Sequence, residues 1–397
     1  MKNKFIFLVA FLMSFAALAI DMIMPALGSI KSSLGIQSDN DTQLIISIVF
    51  LGMSFGILFY GPLSDAFGRK KSLYLGISLF VMGGIVSYTS QSLEMILVGQ
   101  FLQGFGAAAC RVVSLAMIRD RFSGAEMGKI MSLIMMIFII VPAIAPSLGQ
   151  FVLYYYEWQT IFALLIALGV LGMVLLKFMQ EETLPVENRI PFSFSNIVSG
   201  IKETLKNPIS RAYALASGFI FGAFVGYLSS AQQILQIQYE LGNQFAYYFG
   251  GLALFIGLSS FVNSQLIGRY GMAQLANMSL MFMTAFSALY LLVLSVSGGE
   301  SSLVIFLIYL GSIFLLMGTL FGNLNALAIE PLGHIAGIAN SVIGSLQTFI
   351  SVGIGGAVGQ LYSGDVYPLV SAFFIMSLLS LAVIRLSTAN AASRLRQ

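Results

Sequence analysis

Asp21 and Arg111 are the two ionisable side chains that fall clearly inside the long apolar runs of this sequence, since Glu94 sits at the outer end of its run. A charge at that depth in hydrocarbon is expensive, so such a residue usually faces a polar cavity and takes part in function. The chemistry open to the Asp21 carboxyl is to take up and release a proton as its cavity alternates between two aqueous sides. The alternative is a carboxylate close to the headgroups before Pro25, because Asp21 lies about 16 residues, or roughly 24 Å, beyond the start of its run. The Arg111 guanidinium offers paired hydrogen bonds to a carboxylate or other anionic group of a ligand. Its alternative is to snorkel to the nearby surface. Gln100 precedes Arg111 by about three helical turns, so the two share nearly one face with Arg111 about 16 Å nearer the inner side. Asp21 and Arg111 are then at different depths and are not expected to pair.

Neutral polar residues supply the remaining cavity candidates: Gln232, Gln233 and Gln236 in the seventh apolar run, and Asn323 and Asn325 in the tenth. Abundant Phe and Met suit amphipathic ligands of varied shape. Tyr154, Tyr155, Tyr156 and Trp158 fit an interfacial aromatic belt. The single Cys110 and single His334 cannot build a Cys/His metal cluster, and no metal site is expected. No nucleophile–base constellation or cofactor motif is present, and no basic tract suggests nucleic acid.

The elements that must position these groups follow from composition. Of 397 residues 58% are hydrophobic and 9% charged, with mean hydropathy +0.92. A soluble enzyme carries near a quarter charged residues, so that class is excluded. Apolar runs long enough to cross the bilayer recur at about 5–27, 43–63, 72–90, 94–117, 128–152, 158–179, 210–236, 245–267, 273–297, 302–327, 336–360 and 367–388. The first also has features of a cleavable signal peptide, but it runs on to Leu27 and its removal would leave an odd number of spans. With the N-terminus inside, seventeen of the nineteen basic residues fall on the cytoplasmic side, leaving Lys31 outside and Arg111 within a span. The positive-inside rule then sets the orientation, and the net charge of +3 is mainly a topology signal.

The polar stretch after span six divides the chain into an N-terminal six-helix half over 1–181, a cytoplasmic linker over 182–208 and a C-terminal six-helix half over 209–397. Phe67-Gly68 matches Tyr270-Gly271, and Gly149-Gln150 matches Gly359-Gln360, at offsets of 203 and 210 residues. Offsets near half the length suggest a duplication, as in paired transporter halves. The expected fold is an all-α membrane protein of twelve transmembrane helices around a central cavity.

Between spans two and three lies GPLSDAFGRKK, from Gly61 to Lys71, read as a tight turn in which Gly61 and Gly68 allow close packing and positive φ. Asp65 opposes the local charge bias and calls for a fixed cationic partner, for which Arg119 and Arg121 are the candidates. This segment resembles the signature of the major facilitator superfamily. The resemblance implies a conformational latch made by Gly61, Asp65, Gly68, Arg69 and Arg119. Asp21 to Leu27, Gln103 to Ala109 with Arg119-Asp120, and Ala336 to Ser341 are similar to the Bcr/CflA-type drug-resistance branch of proton-coupled exporters. In span five, Pro142, Pro146 and Gly149 resemble a helix-bend motif associated with exporters. Ala145 and Gln150 depart from its usual glycines. Gln100 stands where the family motif carries an arginine.

Taken together, the residues and the resemblance lead to the expectation of a secondary transporter of the bacterial inner membrane that exports a small amphipathic compound or drug by proton antiport with alternating access. Asp21 is the expected proton-coupling residue, and Arg111, Gln100, Gln232, Gln236 and Asn323 are the expected substrate contacts. No cofactor is expected beyond the proton gradient. The expected partners are the substrate, protons and the lipid bilayer, with the protein a monomer and both termini cytoplasmic. The alternatives are a dedicated carrier of one anionic metabolite or siderophore, exported or imported, and a non-transporting sensor or scaffold.

Overall fold

A backbone in hydrocarbon must satisfy its N–H and C=O groups internally, and the chain does so with helices throughout. The computed structural model describes residues 2–394, and their side chains except at 2, 125, 128–129, 132–133, 135–139 and 388–394. Among the described residues there is no strand. Lys2, Lys129, Arg394 and Arg396, used above for orientation, have side chains outside the described residues.

The chain divides into two units, Met1–Ile197 and Val198–Gln397. In the first, the opening apolar run is built from α1 (Lys2–Met13), α2 (Phe15–Asp21) and α3 (Leu27–Leu34), followed by α4 (Asp39–Phe67), α5 (Arg69–Tyr88), α6 (Leu93–Arg121), α7 (Gly124–Tyr155) and α8 (Gln159–Met179). The linker helix α9 (Phe194–Lys206) crosses the division. The second unit continues with α10 (Pro208–Ala231), α11 (Phe245–Tyr270), α12 (Met272–Val296), α13 (Leu303–Ile329), α14 (Ala336–Gln360) and α15 (Tyr367–Arg394). The stretch 182–197, read from the sequence as linker, belongs to the first unit.

Several helix starts carry side-chain caps. Ser38 accepts from Asn40 N at 3.2 Å and Ser92 from Met95 N at 3.3 Å, while Asn207 accepts from Ile209 N and Ser210 N ahead of Pro208. Each satisfies donors that a helix end leaves open, and Pro208 occupies the first turn, where its missing N–H is harmless.

Three local expectations change. The first span does not end at Leu27: after Asp21 the chain makes a 3-10 turn at Met24–Ala26 and continues as α3 to Gly35, whose φ of 65° caps it. Pro25 sits in the opening turn of a new helical stretch, where it is tolerated, so the span continues past it. Gly61 is not in a turn. Helix α4 runs through Gly61 and Pro62 to Phe67, and only Gly68, with φ 98°, makes the reversal. Trp158 is buried edge-on against Phe162 at 5.9 Å, whereas Tyr154, Tyr155 and Tyr156 are exposed. The two Gly-capped turns support the internal duplication: Gly68 and Gly271 both end one helix and open the next, with φ/ψ of 98°/155° and 75°/155°.

Small residues bring the helices together. In the first unit α6 lies between α4 and α5, with Gly104 against Val49 and Gly106 against Phe80. In the second, Gly218, Gly222 and Gly226 face Ile350, Ile354 and Val358 in register, so α10 and α14 mesh at every turn. Ser387 Oγ donates to the Pro208 carbonyl at 2.7 Å, tying α15 to α10. Tyr290 and Tyr309 stack at 4.4 Å between α12 and α13. Such seams replace the hydrophobic drive that lipid does not supply. A Cβ at Gly222 would lie 2.7 Å from Ile354 Cδ1 and 2.8 Å from its Cβ. Gly222→Leu should therefore destabilise the second unit by about 1–3 kcal/mol, read as a lower melting temperature of the detergent-purified protein.

Candidate functional site

Asp21 closes α2, at the point where the first span breaks. It is 4% exposed, and every other residue of α2 is buried as well. Its carboxyl has no hydrogen-bond or ion-pair partner among the described residues. Helix α7 seats directly against this break. A Cβ at Gly149 would fall on the Met22 carbonyl oxygen, 2.9 Å from its carbon and 3.1 Å from Pro25 Cγ. Glycine is required there because backbone meets backbone, one residue beyond the carboxyl. Helix α7 is continuous through Pro142 and Pro146, and Pro146 is buried. The motif of span five and the acidic residue of span one are thus parts of one packing contact.

Gln100 and Arg111 both lie on α6. Gln100 is fully buried, and neither of its amide heavy atoms has a hydrogen-bond partner among the described residues. A buried amide of this kind is satisfied by water or by a polar group of a ligand. Arg111 is half-buried, and it is not ion-paired with Asp21.

At the end of the first unit that carries the basic loop, a polar network forms around Arg69. Asp65 pairs with Arg69, four residues on across the Gly68 turn, and not with Arg119 or Arg121. Arg69 also donates from Nε to Asp120 Oδ2 at 2.9 Å and from Nη1 to Ser64 Oγ at 2.8 Å. Asp120 occupies the inward position between the two arginines. Arg119 is exposed, and Arg121 lies over the Phe5 ring at 4.7 Å. Glu182, from the stretch after α8, completes the arrangement. Its Oε1 accepts from the backbone N–H groups of Arg69, Thr183 and Leu184 at 2.9–3.1 Å, and its Oε2 accepts from Lys70 N at 3.1 Å. A carboxylate on the first N–H groups of α5 is favoured by the helix dipole. Thr183 Oγ1 donates to Asp120 at 2.9 Å, Lys70 Nζ to the Gln180 carbonyl at 2.7 Å, and Ile190 N to the Asp65 carbonyl at 3.1 Å. The stretch 180–190 therefore straps the signature loop. A Cβ at Gly68 would lie 2.6 Å from Glu182 Oε2, so glycine is needed there for both space and φ.

In the second unit, α10 passes into a π-helix at Gln232–Gln238, a rare geometry that often marks functional segments. Gln232 and Gln233 are buried within it and Gln236 is half-buried. The Tyr362 hydroxyl lies 3.1 Å from Gln238 Oε1. Asn323 is 1% exposed and exchanges reciprocal amide hydrogen bonds of 3.0 and 3.1 Å with Asn263. Ser259 donates to the Leu315 carbonyl and Ser260 to the Gly318 carbonyl, extending the same seam between α11 and α13. Asn323 accordingly acts as glue between these helices, while Asn325 is half-buried nearby on α13.

Sequence reasoning missed Glu182 and Asn263. The only signal for Glu182 was an acidic pair just after a span, and Asn263 was one neutral polar residue among many. Glu182→Ala leaves four backbone donors without their acceptor. It is expected to destabilise the first unit by about 1–3 kcal/mol, measured by thermal unfolding, with Glu181→Ala as the control that does not.

The family model of the Major Facilitator Superfamily matches residues 9–359. An uncharacterised MFS-type transporter of Bacillus subtilis, YdgK, is 34% identical over 368 residues, covering 89% of this chain and 88% of the relative. A bicyclomycin resistance protein homologue of Haemophilus influenzae is 27% identical, covering 93% and 92%. The multidrug resistance protein MdtL of Klebsiella pneumoniae (strain 342) is 28% identical, covering 83% and 81%. Among solved structures, the partially occluded inward-open xylose transporter XylE of Escherichia coli superposes with a TM-score of 0.73 at 13% identity, covering 96% of each chain. With a family match over most of its length and an all-helical fold, the chain belongs to the Major Facilitator Superfamily and is a multi-pass membrane transporter, not an enzyme.

Proposed function

We propose that the protein exports a small amphipathic compound in exchange for protons, with Asp21 as the proton carrier. The observation that carries this reading is the Asp21 carboxyl, buried at the break of the first span with no protein partner among the described residues. A carboxylate anion held in such a place without a counter-ion costs far more than a neutral carboxyl does. A group in that position changes charge with its access to water, which is the property a proton-coupling residue needs. The relatives whose names include bicyclomycin resistance and multidrug resistance support export of a drug-like compound.

In this mechanism the protein alternates access between the two sides of the membrane. Protonation of Asp21 from the outer side favours release of substrate, and deprotonation toward the inner side permits loading. The Asp65–Arg69–Asp120 network, strapped by Glu182, serves as the latch that holds one of the two states. Each unit taken by itself holds neutral amides able to hydrogen-bond a substrate, Gln100 in the first and Gln232 and Gln236 in the second. The distribution of basic residues supports an orientation with both termini in the cytoplasm, and the bacterial relatives support an inner-membrane location; we take the protein to work as a monomer.

Compounds that thermally stabilise the purified protein, screened across neutral, cationic and anionic classes at two pH values, provide the substrates for the test. In proteoliposomes with an imposed pH gradient, Asp21→Asn should slow their transport at least about tenfold, with binding retained; undiminished gradient-driven transport would falsify the assignment. A second reading, a carrier dedicated to an anionic metabolite or siderophore, is favoured by the half-buried Arg111 on the face it shares with Gln100. For that carrier, Arg111→Ala should abolish the preference for anionic over cationic ligands, and an unchanged preference removes the reading.

A further inference from the structure

The linker helix α9 carries three distinct strips along its surface. Ile197, Gly200 and Thr204 are buried and form the strip turned toward the protein. In the second unit Gly200 of this strip meets Ile338, and Glu203, outside the strip, pairs with His334 at the surface. Beside it run Phe194, Val198, Ile201 and Leu205, an apolar strip only about 60° wide at helical spacing. Phe194 is 63% exposed and Leu205 37% exposed. Next round the helix come Lys202 and Lys206, both exposed, about 80–120° from Phe194. Glu203, the acidic residue of α9, lies on the far side from the apolar strip.

This order of apolar strip, flanking cations and remote acid is that of a helix lying in a membrane interface. Chain continuity places α9 there, since α10 begins its span at Pro208, two residues after α9 ends. A soluble linker would gain nothing from an exposed Phe and Leu in helical register.

We infer that α9 is an interfacial anchor whose apolar strip enters the acyl boundary of the cytoplasmic leaflet while Lys202 and Lys206 bind anionic phospholipid headgroups. The side of the membrane follows the orientation proposed above; the lipid contact itself does not depend on Asp21 or on the substrate. Buried to the depth usual for such helices, Phe194 would sit about 5–10 Å into the headgroup and acyl boundary. Each lysine adds attraction to anionic lipid that salt weakens.

The test uses the full-length protein in vesicles of phosphatidylcholine with brominated acyl chains, with and without phosphatidylglycerol in both leaflets. Trp158 is the sole tryptophan, so Trp158→Phe provides a silent background in which Phe194→Trp reports on α9. The anchor predicts loss of this fluorescence to the brominated chains, strongest in the anionic vesicles. It also predicts that Lys202→Gln with Lys206→Gln reduces the quenching to its level in neutral vesicles. Ser199→Trp, on the polar side of the helix, should remain unquenched. Absence of quenching at position 194, equal quenching at 199, or indifference to both phosphatidylglycerol and the two lysines would overturn the inference. If Trp158→Phe impairs folding, a nitroxide on Phe194→Cys in the otherwise unchanged chain gives the same decision from its accessibility to oxygen over a water-soluble relaxer. Transport measured in the same vesicles separates this result from the proton-coupling proposal.

Discussion

A polar group in hydrocarbon that finds no partner costs several kcal/mol, and this single constraint shapes the chain from end to end. It turns nearly every segment into a helix and leaves glycine and serine as the means of joining helices. Against that background one carboxyl stands apart. Asp21 is buried at a helix break with no protein partner among the described residues, and the break is locked by the backbone contact at Gly149. Elsewhere buried polar groups are neutral, as at Gln100, or answered in kind, as in the Asn263–Asn323 pair.

At the other extreme of polarity, the basic loop is organised by the same need. Arg69 is buried and is met by two carboxylates and a hydroxyl, and the carboxylate of Glu182 meets the open N–H groups at the start of α5. The corresponding turn at Gly271 shares its backbone conformation with Gly68, but no neighbouring atom lies within 4 Å of the Cβ position there. The two units thus repeat the turn but not the clamp, so the charged network is a feature of the first unit's turn. The linker that leaves this clamp carries the amphipathic α9, which joins the polar network of the first unit to the start of the second unit's first span.

Much of this was legible in the sequence, for physical reasons that differ by feature. The spans were legible because each must be apolar for about 20 residues, and Asp21 because an acid in such a run has few innocent explanations. The break after it was not, since Pro25 opens a new helical stretch as readily as it ends an old one. Asp65 was correctly seen to need a cation, yet its partner is four residues away because α5 begins immediately after Gly68; the arginines of α6 flank an aspartate that takes the inward position instead. Glu182 lies 113 residues from the backbone it caps, and Asn263 lies 60 from Asn323. A contact at that separation leaves no local pattern to read.

The central claim is that Asp21 is the group that gains and loses the transported proton. The most direct measurement is infrared difference spectroscopy of the purified protein in lipid across a pH titration, which needs no substrate. The account predicts a carbonyl stretching band of a protonated carboxylic acid that disappears as pH rises and is missing in Asp21→Asn at every pH. The same band persisting in Asp21→Asn, or no titrating carboxyl band in the unmodified protein, would contradict it.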